Sequence, residues 1–160
     1  VGRLLTLARQ PDPAGAAGRI VALETEIARR HWDRARNRDR NATYNKLPVA
    51  ELARLAPSYA WAKHLEEGGL AAATEVVVRQ PDYLRGLDTL LAATPAATWR
   101  EYLTYKLLDE YAGLLPAAFG AARFDFRGRT LAGQTAQAAR WKRASDFAGG
   151  AMGEAVGKLY

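Results

Sequence analysis

Apolar residues recur at helical spacing through most of the chain. Leu4, Leu5, Leu7 and Ala8 predict a short helix that ends before Pro11. Asp12 then offers a capping oxygen, and Pro13 already holds a helical φ at the first position of the next helix. Gly15 and Gly18 weaken its first turns by about 1 kcal/mol each relative to Ala. Ile20, Leu23, Ile27 and His31 follow on one face of that long helix. Glu24, Glu26, Arg29 and Arg30 flank the face, and Glu26 to Arg30 has the favourable i,i+4 order. The helix is expected to end near Arg36, with Asn37 to Asn45 as turn. Pro48 reads as the start of a short helix carrying Leu52 and Leu55 and stopped at Pro57. Tyr59 to Glu67 predicts another, ended by Gly68-Gly69.

Glu75-Val76-Val77-Val78 is the one convincing strand, short and β-branched. Its backbone groups need partners, and no other segment reads as one, so pairing with backbone outside this chain is expected. Pro81 and Asp82 open a helix whose apolar face is Tyr83, Leu84, Leu87, Leu90 and Leu91. Thr94-Pro95 starts what reads as the longest helix. Trp99, Leu103, Leu107 and Leu114 form its stripe, which Tyr102 and Leu108 widen toward full burial. Pro116 should break it, Phe119 to Leu131 continues in a new direction, Gly133 to Ala138 is loop, and Arg140 to Tyr160 is a final helix. The fold class is mainly α: a multi-helix lobe with one short isolated β-strand. No repeat or linker divides residues 1–160, which read as a single helical segment.

Composition narrows this picture. A chain of 160 residues can bury roughly 70% of its unfolded surface and needs no staples. It has no cysteine, hence no disulfide frame and no thiolate nucleophile. No apolar run reaches the ~18 residues of a membrane-spanning helix. The chain opens on Val1 inside a helical pattern and ends at Leu159-Tyr160 without tails, as expected of an excised piece of a larger protein. Abundant alanine, and arginine in excess of lysine, fit a GC-rich bacterial genome. The net charge is +6, and Arg29, Arg30, Arg34, Arg36, Arg38, Arg40 and Lys46 fall in one stretch. Such a run usually forms a solvated helix end or an ion-paired surface. Asp33 and Asp39 interrupt it and no nucleic-acid motif accompanies it, so no nucleic acid is expected as partner. A free-standing helical binding module for an acidic partner or nucleic acid is the alternative reading of the same charge.

Candidate chemistry is sparse. His31 and His64 are the only histidines, and neither has the second imidazole one turn away that a zinc-binding H-E-x-x-H helix requires. His64-Leu65-Glu66-Glu67 therefore reads as a helix surface. Ser58 and Ser145 lack a nucleophile-elbow context. Gly149-Gly150-Ala151-Met152-Gly153 lacks the lysine of a phosphate loop and reads as close helix packing. Asp109-Glu110 reads as ordinary helix surface. Trp61, Trp99 and Trp141 read as core. Asn41-Ala42-Thr43 matches a glycosylation sequon, a pattern common by chance. No catalytic residue, metal ligand or cofactor site is predicted in this segment.

Three blocks of residues nevertheless carry a family signal. They are Leu23-Glu24-Thr25-Glu26-Ile27-Ala28 leading to Tyr44-Asn45-Lys46; Val76-Val77-Val78 with Pro81-Asp82-Tyr83-Leu84; and Arg140-Trp141-Lys142-Arg143 leading to Met152-Gly153-Glu154-Ala155-Val156-Gly157-Lys158-Leu159-Tyr160. In that order the chain resembles the N-terminal, non-catalytic helical region of the neprilysin and endothelin-converting-enzyme family of zinc metallopeptidases. Ala144 stands where disulfide-bearing animal members have cysteine, which points to the bacterial type; Ala138-Ala139 and Gly149 also depart from the family pattern. The resemblance implies a helical lobe that caps the substrate cavity of a peptide-cleaving zinc enzyme and is inactive alone. It implies zinc in a catalytic domain beyond Tyr160, the catalytic lobe of the same protein as partner and peptide substrates for the parent; the compartment is left open, with a bacterial periplasmic or other extracytoplasmic setting favoured over the cytoplasm. Tyr44, Asn45, Lys46, Arg140 and Trp141 are the residues expected to serve structural or inter-lobe roles. Among them the Tyr44-Asn45-Lys46 knuckle is expected to bury its tyrosine ring and fix the angle between its flanking helices.

Overall fold

The computed structural model describes residues 1–158, without the side chain of Val156. Its elements are α1 (Gly2–Leu7), α2 (Pro13–Arg30), α3 (Arg34–Arg38), β1 (Asn45–Pro48), a 3-10 turn (Val49–Glu51), α4 (Leu52–Leu55), α5 (Trp61–Glu67), β2 (Glu75–Val78), α6 (Pro81–Ala93), α7 (Ala96–Tyr111), α8 (Ala117–Arg123), a π-helix (Phe124–Leu131) and α9 (Arg140–Gly157). The fold is mainly α. The chain forms two compact units, Val1–Lys106 and Leu107–Tyr160.

In the first unit the Asp12 carboxylate accepts from Gly15 N at 3.1 Å, as its capping role requires, with Asp12 itself in the left-handed region at φ 46°. Leu4 and Leu5 of α1 are buried with Ala16, Ile20 and Leu23 of α2. A second cluster joins Leu52 of α4, Leu65 of α5 and Val78 of β2, with Leu47, Leu55, Trp61, Val76 and Leu84 packed around them. α2 stops at Arg30 rather than near Arg36, because His31 turns extended and Asp33 caps a new helix by accepting from Arg36 N at 2.8 Å. At the far end of α5, Gly69 adopts φ 70°, and Leu70 N returns to Leu65 O at 2.7 Å to close the helix.

The strand expected to be isolated has a partner within the chain. β2 pairs antiparallel with β1, Asn45 opposite Val78 and Pro48 opposite Glu75. Val49 N donates to Thr74 O at 2.9 Å in the same register. In an antiparallel ladder bonded and non-bonded pairs alternate, so Asn45/Val78 and Leu47/Val76 exchange the inward bonds. Pro48 falls in a non-bonded pair, where its missing N–H faces outward and costs no ladder bond. The proline that reads as a helix start is therefore compatible with the end of a strand.

In the second unit, α7 ends at Tyr111 and Pro116 opens α8. The helix continues from Arg123 into the π-helix, within the predicted span of Phe119 to Leu131. Gly128 is buried there, and a Cβ on it would lie 2.4 Å from the Phe124 ring. α9 covers most of the predicted final helix; Leu159 and Tyr160 lie outside the described residues. At 18 residues each, α2 and α9 are longer than the 16-residue α7, contrary to expectation. The leucine stripe of α7 is also corrected: Leu103 and Leu107 are exposed, as is Leu114 beyond it, whereas Tyr105, Asp109 and Ala112 are buried. Trp141 is 73% exposed rather than core. No other group lies within 4 Å of a Cβ built on Gly149, Gly150 or Gly153, so these glycines are not sites of close helix packing among the described residues.

Candidate functional site: the knuckle, the strand pair and the adjoining pocket

The break after α2 is fastened to the start of α6 by three hydrogen bonds that close a ring. Trp32 N donates to Gln80 Oε1 at 3.0 Å, Gln80 Nε2 to Asn37 Oδ1 at 2.9 Å, and Asn37 Nδ2 to Trp32 O at 2.9 Å. Each amide orientation is fixed by the other, since flipping either would oppose donor to donor. Arg30 extends the seam, donating to Gly86 O at 3.1 Å and to Glu26 Oε2 at 2.8 Å. The absence of a side chain at Gly86 lets Arg30 lie on α6, since a Cβ there would meet its Cδ at 3.1 Å. The hydrogen bond from Arg30, then that from Arg29, holds the Glu26 carboxyl below its ordinary value. Arg36 stacks on Trp32, 3.5 Å from the ring centroid, and pairs with Asp82 at 3.1 Å. Several arginines of the basic run thus serve the fold.

Within the knuckle, Asn45 Nδ2 donates to Ala42 O at 2.8 Å and to Val78 O at 3.0 Å. One amide therefore ties the turn to the buried end of β2. Lys46 pairs with Glu75 across the strands at 2.6 Å, both half-exposed. The Tyr44 ring is 63% exposed, contrary to its expected burial. Arg140 and Trp141 begin α9 in the other unit.

Beside β2 lies an open-sided, mainly apolar pocket of about 360 Å³. The consecutive residues Val76 to Gln80 line it, together with Trp61 and His64 of α5, Tyr83 and Leu84 of α6, and His31. His31 stacks on Tyr83 at 4.1 Å between ring centroids. Tyr59 Oη lies 3.1 Å from His64 Nδ1, and Trp61 Nε1 donates to Ala56 O at 2.9 Å. Burial pushes the Tyr83 phenol above its ordinary value, so it stays neutral at neutral pH. Among the described residues no group of three or more His, Cys, Asp or Glu side chains is placed to hold a metal ion.

This arrangement of helices, knuckle and strand pair occurs in known proteins. The model of peptidase family M13, N-terminal region, matches residues 1–160. The chain belongs to peptidase family M13. Against mouse membrane metallo-endopeptidase-like 1 it is 28% identical over 149 residues, 88% of this chain and 19% of that protein. Human neprilysin is 26% identical over 157 residues, 89% of this chain and 20% of that protein. The zinc metalloprotease Zmp1 of Mycobacterium tuberculosis, solved in an open state, superposes with a TM-score of 0.93 at 38% identity, over 99% of this chain and 25% of that one. Zmp1 in complex with inhibitor also gives 0.93, at 37% identity. The chain thus spans about a fifth to a quarter of these relatives' length, and the bacterial member is among its near structural neighbours.

Within this M13 segment, sequence reasoning missed the Asn37–Gln80 ring and the buried Asp109. Asp109, read as helix surface, is 7% exposed and pairs with Arg127 of the π-helix, whose Nε donates to Oδ2 at 3.1 Å. Neither feature has a local signature, because each joins residues well separated in sequence. The Asn in Tyr44-Asn45-Lys46 was legible, since a turn asparagine commonly bonds nearby backbone.

Proposed function

We propose that this chain is the helical lobe that caps the substrate cavity of a zinc metalloendopeptidase acting on peptides, and that it is not catalytic by itself. The observation that carries the reading is the match of the M13 N-terminal model to residues 1–160. The side chains agree with it. With two histidines and no cysteine, and no ligand cluster among the described residues, this segment does not fit a catalytic zinc, which takes three protein ligands and an open position. The zinc belongs in this reading to the rest of the parent, whose catalytic lobe is the partner of this one. Large apolar side chains left exposed in the second unit, among them Leu107, Leu114, Phe126 and Leu131, supply surface for that partner.

The test compares this chain with the full-length parent for zinc content by mass spectrometry and for peptide hydrolysis. The parent is expected to hold stoichiometric zinc and to lose cleavage to a chelator; the chain alone is expected to do neither. Chelator-sensitive cleavage by the chain alone would overturn the reading, and so would a zinc-free parent. The capping role is read separately, from relative rates on short and long peptides after Tyr44 and Asn45 are both replaced by Ala in the parent. A changed ratio at unchanged zinc content supports a knuckle that sets cavity access; an unchanged ratio and unchanged melting temperature remove it from that role.

A further inference from the structure

The register of β1 and β2 leaves one edge open. Because Asn45/Val78 and Leu47/Val76 are the bonded pairs, the backbone N–H and C=O of Glu75 and Val77 point away from β1. The corresponding edge of β1 presents Lys46 and Pro48, and the proline has no N–H to offer. Only the β2 edge carries a full alternation of donors and acceptors. Neither Glu75 nor Val77 uses those outward groups among the described residues, and the Val77 side chain is 49% exposed.

A pocket adjoins β2. Successive side chains of a strand point to opposite faces, so a pocket over one face would touch alternate residues. This one is lined by Val76, Val77, Val78, Arg79 and Gln80 in succession, as a cleft beside the strand would be. Its walls are the Trp61, Tyr83 and Leu84 side chains, with His31 and His64 at hand. An open strand edge beside an apolar pocket is the geometry of strand addition: main-chain bonds hold an extended segment, and the pocket takes one of its side chains.

We propose that the outer edge of β2 receives a third, extended strand from the remainder of the parent protein, with a bulky apolar side chain of that segment seated against Trp61 and Tyr83. The chain spans 19% of mouse membrane metallo-endopeptidase-like 1 and 25% of Zmp1, so a parent of that length would have ample chain to supply such a segment. An open edge invites wrong pairing; a third strand removes it. The proposal rests on the reading that a longer parent surrounds this lobe. The zinc and cleavage assays above can succeed while this edge stays open, so the two readings fail separately.

The experiment is hydrogen exchange of the full-length parent at single-residue resolution, at low protein concentration and without peptide. The Glu75 and Val77 amides are expected to exchange at least tenfold more slowly than an unstructured chain, as the Val76 and Val78 amides do. Exchange of Glu75 and Val77 at the unstructured rate would overturn the proposal. It would also be overturned by protection that appears only as protein concentration rises, which marks a second copy, or only after peptide is added, which marks a substrate. Val77→Pro removes the outward donor, but it also fixes φ and restricts Val76, so its melting temperature is not the readout; the Glu75 amide is expected to be released, and a Glu75 amide as protected as in the wild-type parent would contradict the third strand.

Discussion

Removing the Asn45 amide strips the Ala42 and Val78 carbonyls of a donor each, and the Val78 carbonyl belongs to a residue only 7% exposed. A hydrogen bond of this kind contributes about 0.5–1.5 kcal/mol net. Asn45→Ala is therefore expected to destabilise the chain by about 1–2 kcal/mol. Tyr44→Ala next to it removes a largely exposed ring and should stay within about 0.5 kcal/mol. Urea unfolding of the two variants checks the contrast; equal losses would show that the knuckle acts through tyrosine packing after all. Gly128 is a second sharp position. Its missing Cβ is occupied by the Phe124 ring one turn earlier, with Gln134 Oε1 3.0 Å from the same point. Gly128→Ala must push that ring aside, a case of overpacking that costs about 1–3 kcal/mol and outweighs the roughly 1 kcal/mol that alanine gains in helix propensity.

At the scale of elements, ion pairs join helices that are distant in sequence. Arg19 of α2 donates to both carboxylate oxygens of Glu101 of α7, at 2.8 and 2.7 Å, and to Asp12 at 3.1 Å. Both carboxyls are held below their ordinary values, Glu101 by the hydrogen bond from Arg19, Asp12 by the Gly15 amide first and Arg19 second. A carboxyl whose folded value is lowered stabilises the fold above its unfolded value, and that contribution is lost as pH falls through the folded one. Wild type should therefore exceed Arg19→Leu in melting temperature at neutral pH, and the gap should shrink below the ordinary values of 4.5 and 3.8. A gap that is constant down to pH 2 would mean that Arg19 acts by packing alone. In the second unit the Asp109–Arg127 pair fastens α7 to the π-helix. These seams explain what could be read from the sequence and what could not. Helix starts such as Asp12-Pro13 and Pro81-Asp82 were legible because caps are local. β1 was not, because Asn-Lys-Leu-Pro has no strand pattern of its own and becomes a strand only beside Glu75–Val78. The inner face of α7 was misread because hydrophobicity alone favoured its leucines, whereas Asp109 is buried by a partner 18 residues away.

For the molecule as a whole, the surface of the second unit is the feature that a lone chain explains least. Trp141, Ala148 and Met152 share one face of α9 at helical spacing, and Trp141 and Met152 are 73% and 54% exposed. Apolar side chains exposed together mark an interaction surface or an association hazard. The two possibilities make opposite demands on a charged variant. Trp141→Lys combined with Met152→Lys should make the isolated chain less prone to associate, by sedimentation at rising concentration, without lowering its melting temperature, because neither side chain is buried. If the longer parent proposed above covers this face, the same pair of substitutions in that parent should lower the melting temperature, because lysines would then be forced into an apolar contact. A parent as stable as wild type would show that this face of α9 stays in solvent.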